Sequence, residues 1–352
     1  MPSDAPPTAQ SITNAIDLEH VDRDLYRSRE LWKPAQGRGV FGGQIIAQAA
    51  WAATQSVRRD EPGTKKGLHS LHCYFLNFGN ADIPVLYQVQ RLRDGRSYST
   101  RSVLASQQGV PIFSLTCSFC LAEPDQPVRA LPLPQWPLKW HRTEEGQKDP
   151  KDVGDRIPEP EECDATEEVM MRALAAAKNL PKKLQDFVER QAEERRQSSI
   201  ELRNTDKREI GHLFAFDKTA SQQQLYWFRS RAPVEPDPDF QKRFIAIKEA
   251  DFGSFPPSQC VLAYASDLNF IGTAARATGL GASTKPRLGM LASLDHSMYF
   301  YDTTVDAHDW NLFYMNSPVT SNGRGLVHGR IYKRDGTLAV VCTQEGVVRA
   351  AL

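Results

Sequence analysis

The strand-like run ending Leu71-His72-Cys73-Tyr74-Phe75 has a counterpart ending Asp295-His296-Ser297-Met298-Tyr299-Phe300, and what surrounds each run repeats in the same order. On the left, short extended pieces at Asp17 to Val21 and Asp24 to Ser28 precede a small-residue helix, Phe41 to Ala53, and then long β-rich runs. On the right, Ile200 to Arg203 and Gln224 to Arg231 precede Ser258 to Asp267, and β-rich runs follow again. Gly95-Arg96 matches Gly323-Arg324 as a turn before a strand, and the runs launched at Gly109 and Gly336 are both rich in β-branched or apolar residues. A strand-helix-strands unit of about 100 residues occurring twice predicts a duplicated α+β architecture, each copy an antiparallel sheet wrapped around one helix. Counting back equally from Phe75 and Phe300 sets Asp267 opposite Gly42.

Between the copies, proline recurs from Pro124 to Pro160 at positions 127, 132, 134, 137, 150 and 158, too often for a helix or sheet to persist. A charged segment follows, Glu167 to Arg196, in which Val169, Leu174, Leu180, Leu184 and Val188 fall at loosely helical spacing. One or two surface helices are expected there, with no chemistry of their own. The predicted organisation is an N-terminal repeat over 12–123, an insertion over 124–199 and a C-terminal repeat over 200–352.

Charge excludes several classes of partner. Forty-three basic residues balance forty-three acidic ones, so no net field attracts a nucleic-acid backbone or an anionic membrane. No run approaches the roughly 18 to 20 apolar residues that span a bilayer, and the first residues lack a basic start and an apolar stretch. The six cysteines are scattered, mostly within apolar runs, and read as reduced core thiols. Cys117 and Cys120 form one lone pair without a second pair or a nearby His-x-x-x-His, so no metal site is expected. Glycine-rich phosphate loops of the Rossmann or Walker kinds are absent, and no cofactor is expected.

Two polar residues of the second repeat, Asp267 and Gln344, stand where apolar ones would serve packing better. Asp267 lies on a helix starting near Ser258, with Ala263, Tyr264, Phe270 and Ile271 three or four residues away, so its carboxylate points along an apolar surface. Burial there raises its pKa and suits it to accept a proton near neutrality; the alternative is that Ser266 or Asp267 caps a helix beginning at Leu268. Gln344 ends a strand from Thr337 to Glu345 on the face carrying Leu338, Val340 and Cys342, either buried with partners or exposed at the strand end. Ser293 lies on a single strand from Leu291 to Tyr301, on one face with Asp295 and Ser297, while His296 shares the other face with Met298 and Phe300 as a satisfied core histidine. Asp295-His296-Ser297 cannot be a hydrolase triad, since successive strand side chains point apart, and no Gly-x-Ser-x-Gly elbow exists. Gly42-Gly43-Gln44 has the tripeptide of peptide-release factors, but opens a small-residue helix where glycine permits close backbone approach.

Val40-Phe41-Gly42-Gly43-Gln44, Leu92-Arg93-Asp94-Gly95-Arg96-Ser97-Tyr98, Tyr264-Ala265-Ser266-Asp267-Leu268-Asn269-Phe270, Leu294-Asp295-His296-Ser297-Met298, Arg324-Gly325-Leu326-Val327-His328-Gly329 and Thr343-Gln344-Glu345-Gly346-Val347-Val348-Arg349 together resemble the type II (TesB-like) acyl-CoA thioesterases. The resemblance runs from about Leu18 to Arg349 and departs in the insertion, which is longer and more charged than in bacterial members. It implies a double hot-dog fold and hydrolysis of acyl-CoA to a fatty acid and CoA, with the family's catalytic Asp on Asp267, its Ser/Thr on Ser293 and its Gln on Gln344. Arg96, Arg324 and Arg330 are candidates for the CoA phosphates. Exposed sheet edges make a homo-oligomer the expectation. The eukaryotic members imply a peroxisomal location, while the final Ala350-Ala351-Leu352 lacks the basic middle residue of a Ser-Lys-Leu signal and leaves the cytoplasm open. Two other readings stand beside hydrolysis. One is a non-catalytic acyl-CoA-binding module; the other is a hot-dog enoyl-CoA hydratase, although Asp267-Leu268-Asn269-Phe270-Ile271-Gly272 lacks the proline and histidine of the hydratase motif Asp-x-Asn-Pro-x-His.

Overall fold

The computed structural model describes residues 11–35, 37–60, 64–136, 156–176, 180–205, 222–234, 257–281 and 284–351. The stretch 137–155 of the proline-rich connection, with Pro137 and Pro150, lies outside the described residues. The strands are β1 (Leu18–Asp22), β2 (Leu25–Ser28), β3 (Gly67–Phe75), β4 (Leu86–Asp94), β5 (Tyr98–Gln107), β6 (Val110–Cys120), β7 (Ile200–Asn204), β8 (Gln223–Ser230), β9 (Leu288–Ser293), β10 (Asp295–Phe300), β11 (Asn311–Ser321), β12 (Arg324–Lys333) and β13 (Leu338–Ala350). Helices are α1 (Ile12–Ile16), α2 (Gly42–Asp60), α3 (Thr166–Ala176), α4 (Lys182–Gln197), α5 (Ser258–Ser266) and α6 (Gly272–Ala277).

All the described strands join one sheet in the order β1-β2-β4-β5-β6-β3-β10-β13-β12-β11-β8-β7, with β9 also on β13. The order is the same read from either end. β1, β2, β4, β5, β6 and β3 answer to β7, β8, β11, β12, β13 and β10, so the repeat seen in sequence is a repeat in topology. β3 and β10, whose sequences match, meet as antiparallel neighbours at the centre, with Leu71 opposite Met298 and His72 opposite Ser297.

Each half wraps a helix of small residues. Alanine is the commonest residue of α2, and the helix is buried on nearly every side, because a helix enclosed by a curved sheet has no room for large side chains all round. Its buried polar groups are bonded: Gln44 and Gln48 both donate to the Ala15 carbonyl, at 2.8 and 2.9 Å, and Tyr87 donates to Gln48 at 2.6 Å. Gln44 therefore ties α1 to α2. α5 is the corresponding helix of the second half and is buried along its length.

The expected single strand from Leu291 to Tyr301 is broken. Ser293 lies opposite Gly346 and Ser297 opposite Thr343 on β13, so four steps on one strand face three on the other. Leu294 donates its N–H to the Glu345 carbonyl at 2.9 Å, and the Asp295 carboxylate accepts the Glu345 N–H at 3.0 Å. A one-residue bulge reverses which face later side chains take. Ser293 consequently shares the core face of Gly346 and Gln344, and not the face of Ser297, whose hydroxyl meets exposed His72 at 3.0 Å.

The charged insertion forms α3 and α4, which pack on each other through Met170, Val188 and Ala192. α4 also reaches the body of the protein.

Candidate active site

Two helix ends meet at Asp267. α5 stops at Ser266, so Asp267 is its C-cap and not an interior helical residue, and the next helix, α6, begins only at Gly272. Neither half of the earlier alternative holds: Asp267 caps no helix at Leu268. The turn that follows is held by Asn269 in the left-handed region, φ 59°. Opposite the carboxylate stands the start of α2. A Cβ on Gly42 would lie 2.7 Å from Asp267 Oδ2, and one on Gly43 would lie 2.3 Å from the Tyr264 carbonyl oxygen. Only glycine lets the two backbones approach this closely. Gly43→Ala is accordingly expected to destabilise the fold by roughly 1–3 kcal/mol, read as a lower urea midpoint; an unchanged midpoint would mean the helices are not held as described.

Burial pushes the Asp267 carboxyl up to about 6, against the pull of hydrogen bonds from Gln344 and from the Gly43 backbone N–H. Gln344 is fully buried on β13, beside Val340 and Cys342 as the strand alternation predicts, so the exposed alternative is excluded. Its Nε2 donates to Asp267 Oδ1 at 2.7 Å and lies 3.1 Å from Nδ1 of His296. Burial lowers the His296 pKa to about 3, so the ring is neutral at physiological pH. Its Nε2 is 3.0 Å from Ser266 Oγ, which donates to the Ala263 carbonyl at 2.9 Å. The histidine is a satisfied core residue, as its place on the apolar face predicts.

Ser293 reaches the same place from a third direction. It lines a cavity of about 560 Å³ together with Asp267, Gly42, Phe75, Ile112 and Leu291. The structure thus brings Asp267 and Gln344 into direct contact and sets Ser293 with Asp267 on the wall of the cavity, Gln344 lying buried behind Asp267, without a hydrogen bond joining Ser293 to either. The lining is mostly apolar, and among the described residues its one basic side chain is Arg38, stacked over Phe78 at 5.8 Å. None of the three phosphate candidates lines this cavity. Arg324 pairs with Glu345 at 3.1 Å, and Arg330 stacks over Tyr314 at 4.6 Å. Among the described residues, no cluster of His, Cys, Asp or Glu could hold a metal ion.

Sequence reasoning missed one support. Arg195 of α4 donates to the Asn269 side chain at 2.9 Å, two residues beyond Asp267, and the Glu194 carboxylate accepts the Ala35 N–H at 3.1 Å. The expected surface helices are present, and one of them also braces the turn beside the site. Loosely helical spacing of apolar residues pointed to the helices, but an arginine whose partner lies 74 positions away carries no local signal.

Two family models match the chain, one described as the acyl-CoA thioesterase N-terminal domain over residues 29–120 and one as the C-terminal domain over 180–348. The mouse (Mus musculus) acyl-coenzyme A thioesterase 8 is 35% identical over 338 residues, which is 96% of this chain and 88% of that protein. The crystal structure of an acyl-CoA thioesterase II, TesB2, from Mycobacterium marinum matches with a TM-score of 0.62 and 27% identity, covering 97% of this chain and 99% of the other. A protein of Alicyclobacillus acidocaldarius described as having a hot dog fold matches with a TM-score of 0.59 at 16% identity, over 96% of this chain and 98% of its own, a likeness of fold alone. The two wrapped helices and their shared sheet are a double hot-dog.

Proposed function

Since the chain belongs to the type II acyl-CoA thioesterases and is therefore a thioester hydrolase, we propose that Asp267, Gln344 and Ser293 hold the water that attacks the thioester carbonyl of a fatty acyl-CoA. The observation that carries this reading is the 2.7 Å hydrogen bond that buried Gln344 gives to Asp267, which lines an apolar cavity together with Ser293. The acyl chain occupies the apolar part of the cavity, and the thioester lies between Ser293 and the start of α2. Asp267 accepts a proton as the water oxygen bonds to the carbonyl carbon, Gln344 and Ser293 fix the water's direction, and no acyl-enzyme forms. Negative charge developing on the carbonyl oxygen faces the positive end of α2. When the C–S bond breaks, the CoA thiolate takes up the proton that Asp267 has held.

A base with its pKa near 6 works only when ionised. As pH falls through about 6 the carboxylate is protonated and kcat/KM should drop, approaching tenfold per unit, while above it the rate levels off. A profile of kcat/KM against pH on palmitoyl-CoA checks this, and an acid limb centred near the ordinary carboxylate value, or none, would remove Asp267 as the base. The function itself is tested by thiol release from palmitoyl-CoA; an acyl-CoA-binding module would bind this ligand and release no thiol.

A further inference from the structure

An amide side chain has a donor end and an acceptor end of nearly equal shape, and only one orientation lets Gln344 accept a proton from water. The hydrogen bonds behind it fix which one. Ser266 Oγ has one proton, and it lies 2.9 Å from the Ala263 carbonyl, which can only accept. Its other neighbours are His296 Nε2 at 3.0 Å and the Met298 sulfur at 3.3 Å. With the hydroxyl proton on Ala263, the imidazole must carry its proton on Nε2 and give it to Ser266. Nδ1 is then bare, and the group 3.1 Å from it must be a donor, which is the NH₂ of Gln344. The two amide protons are used on His296 and Asp267. Oε1 points elsewhere, is buried, and has no protein partner among the described residues. Phe270 packs edge-on against the imidazole at 5.5 Å and keeps the ring in place.

We propose that His296 is a positioning residue for hydrolysis: held as its Nε2–H tautomer by Ser266, it locks the Gln344 amide with Nε2 on Asp267 and Oε1 turned to the attacking water. The proposal rests on the reading that Gln344 holds that water. Without the imidazole only the Asp267 carboxylate holds the amide, which can then swing about that single hydrogen bond so that Oε1 loses its aim at the water.

The test is kcat and KM on palmitoyl-CoA for the full chain. His296→Leu should lose roughly 10- to 100-fold in kcat, as expected for a misplaced reacting group, with KM within about twofold by the same argument. His296→Asn can put its Oδ1 where Nδ1 stood and should recover most of the loss. His296→Gln reaches the Nε2 position and not the Nδ1 position, so it should stay slow. Adding His296→Leu to Gln344→Ala should cost nothing further, since both remove one function. Wild-type kcat in folded His296→Leu beside a crippled Gln344→Ala would overturn the proposal alone. If His296→Leu does not fold, equal kcat for the Asn and Gln variants would overturn it. Full activity in Gln344→Ala would instead overturn the reading on which it rests.

Discussion

Asp267→Asn should lower the turnover of palmitoyl-CoA by about 10³-fold, within the 10²- to 10⁴-fold range of a positioned general base, in protein whose folded state is intact. The size follows from what the substitution leaves behind. The amide keeps an oxygen for Gln344 and fills the same space, so the cavity, its apolar lining and the start of α2 remain. It cannot accept the proton of the attacking water. KM should therefore change little while kcat falls. Near-normal turnover by correctly folded Asp267→Asn would show that the proton goes elsewhere.

Gln344→Ala is the second large effect, a loss of roughly 10²- to 10³-fold in kcat, comparable to removing one preorganised hydrogen-bonding group from an active site. The alanine removes the donor to Asp267 as well as the acceptor at Oε1. Because the Gln344 hydrogen bond pulls the Asp267 pKa down, its removal should also move the acid limb of the pH profile upward. Loss of rate with that upward movement supports both roles. Loss of rate with an unmoved limb would leave Gln344 with the water alone and dissolve the claim that it tunes the base.

Much of this was legible in the sequence because the two halves repeat one pattern. The match of Leu71-His72-Cys73-Tyr74-Phe75 to Asp295 through Phe300 anticipates β3 and β10 as equivalent strands, and the equal count back aligns Gly42 with Asp267, two positions that the structure then brings together. Strand alternation put Gln344 on the face of Val340 and Cys342 but left burial or exposure at the strand end open, and the structure buries it. Ser293 was not legible this way. Alternation along an unbroken strand puts it with Ser297, and the bulge at Leu294 that turns it toward the cavity depends on a side chain, Asp295, bonding to the backbone of a distant strand. A sequence reading of period two fails wherever one residue is inserted into a ladder.

The end of α5 was missed for a related reason. Apolar residues continue past Asp267 through Leu268, Phe270 and Ile271, so periodicity alone did not stop the helix at Ser266, where the left-handed Asn269 turn begins. Arg195, bonded to that turn from the insertion, was invisible because its role is set by tertiary approach between segments far apart in the chain.

The most direct measurement is a crystal structure of Asp267→Asn with intact palmitoyl-CoA bound. The account predicts the acyl chain in the cavity lined by Phe75, Ile112 and Leu291, and a water within about 2.6–3.2 Å of Gln344 Oε1 and of the residue 267 side chain, aligned on the thioester carbon. A thioester seated away from these groups, or an acyl group bonded to Ser293, would contradict it.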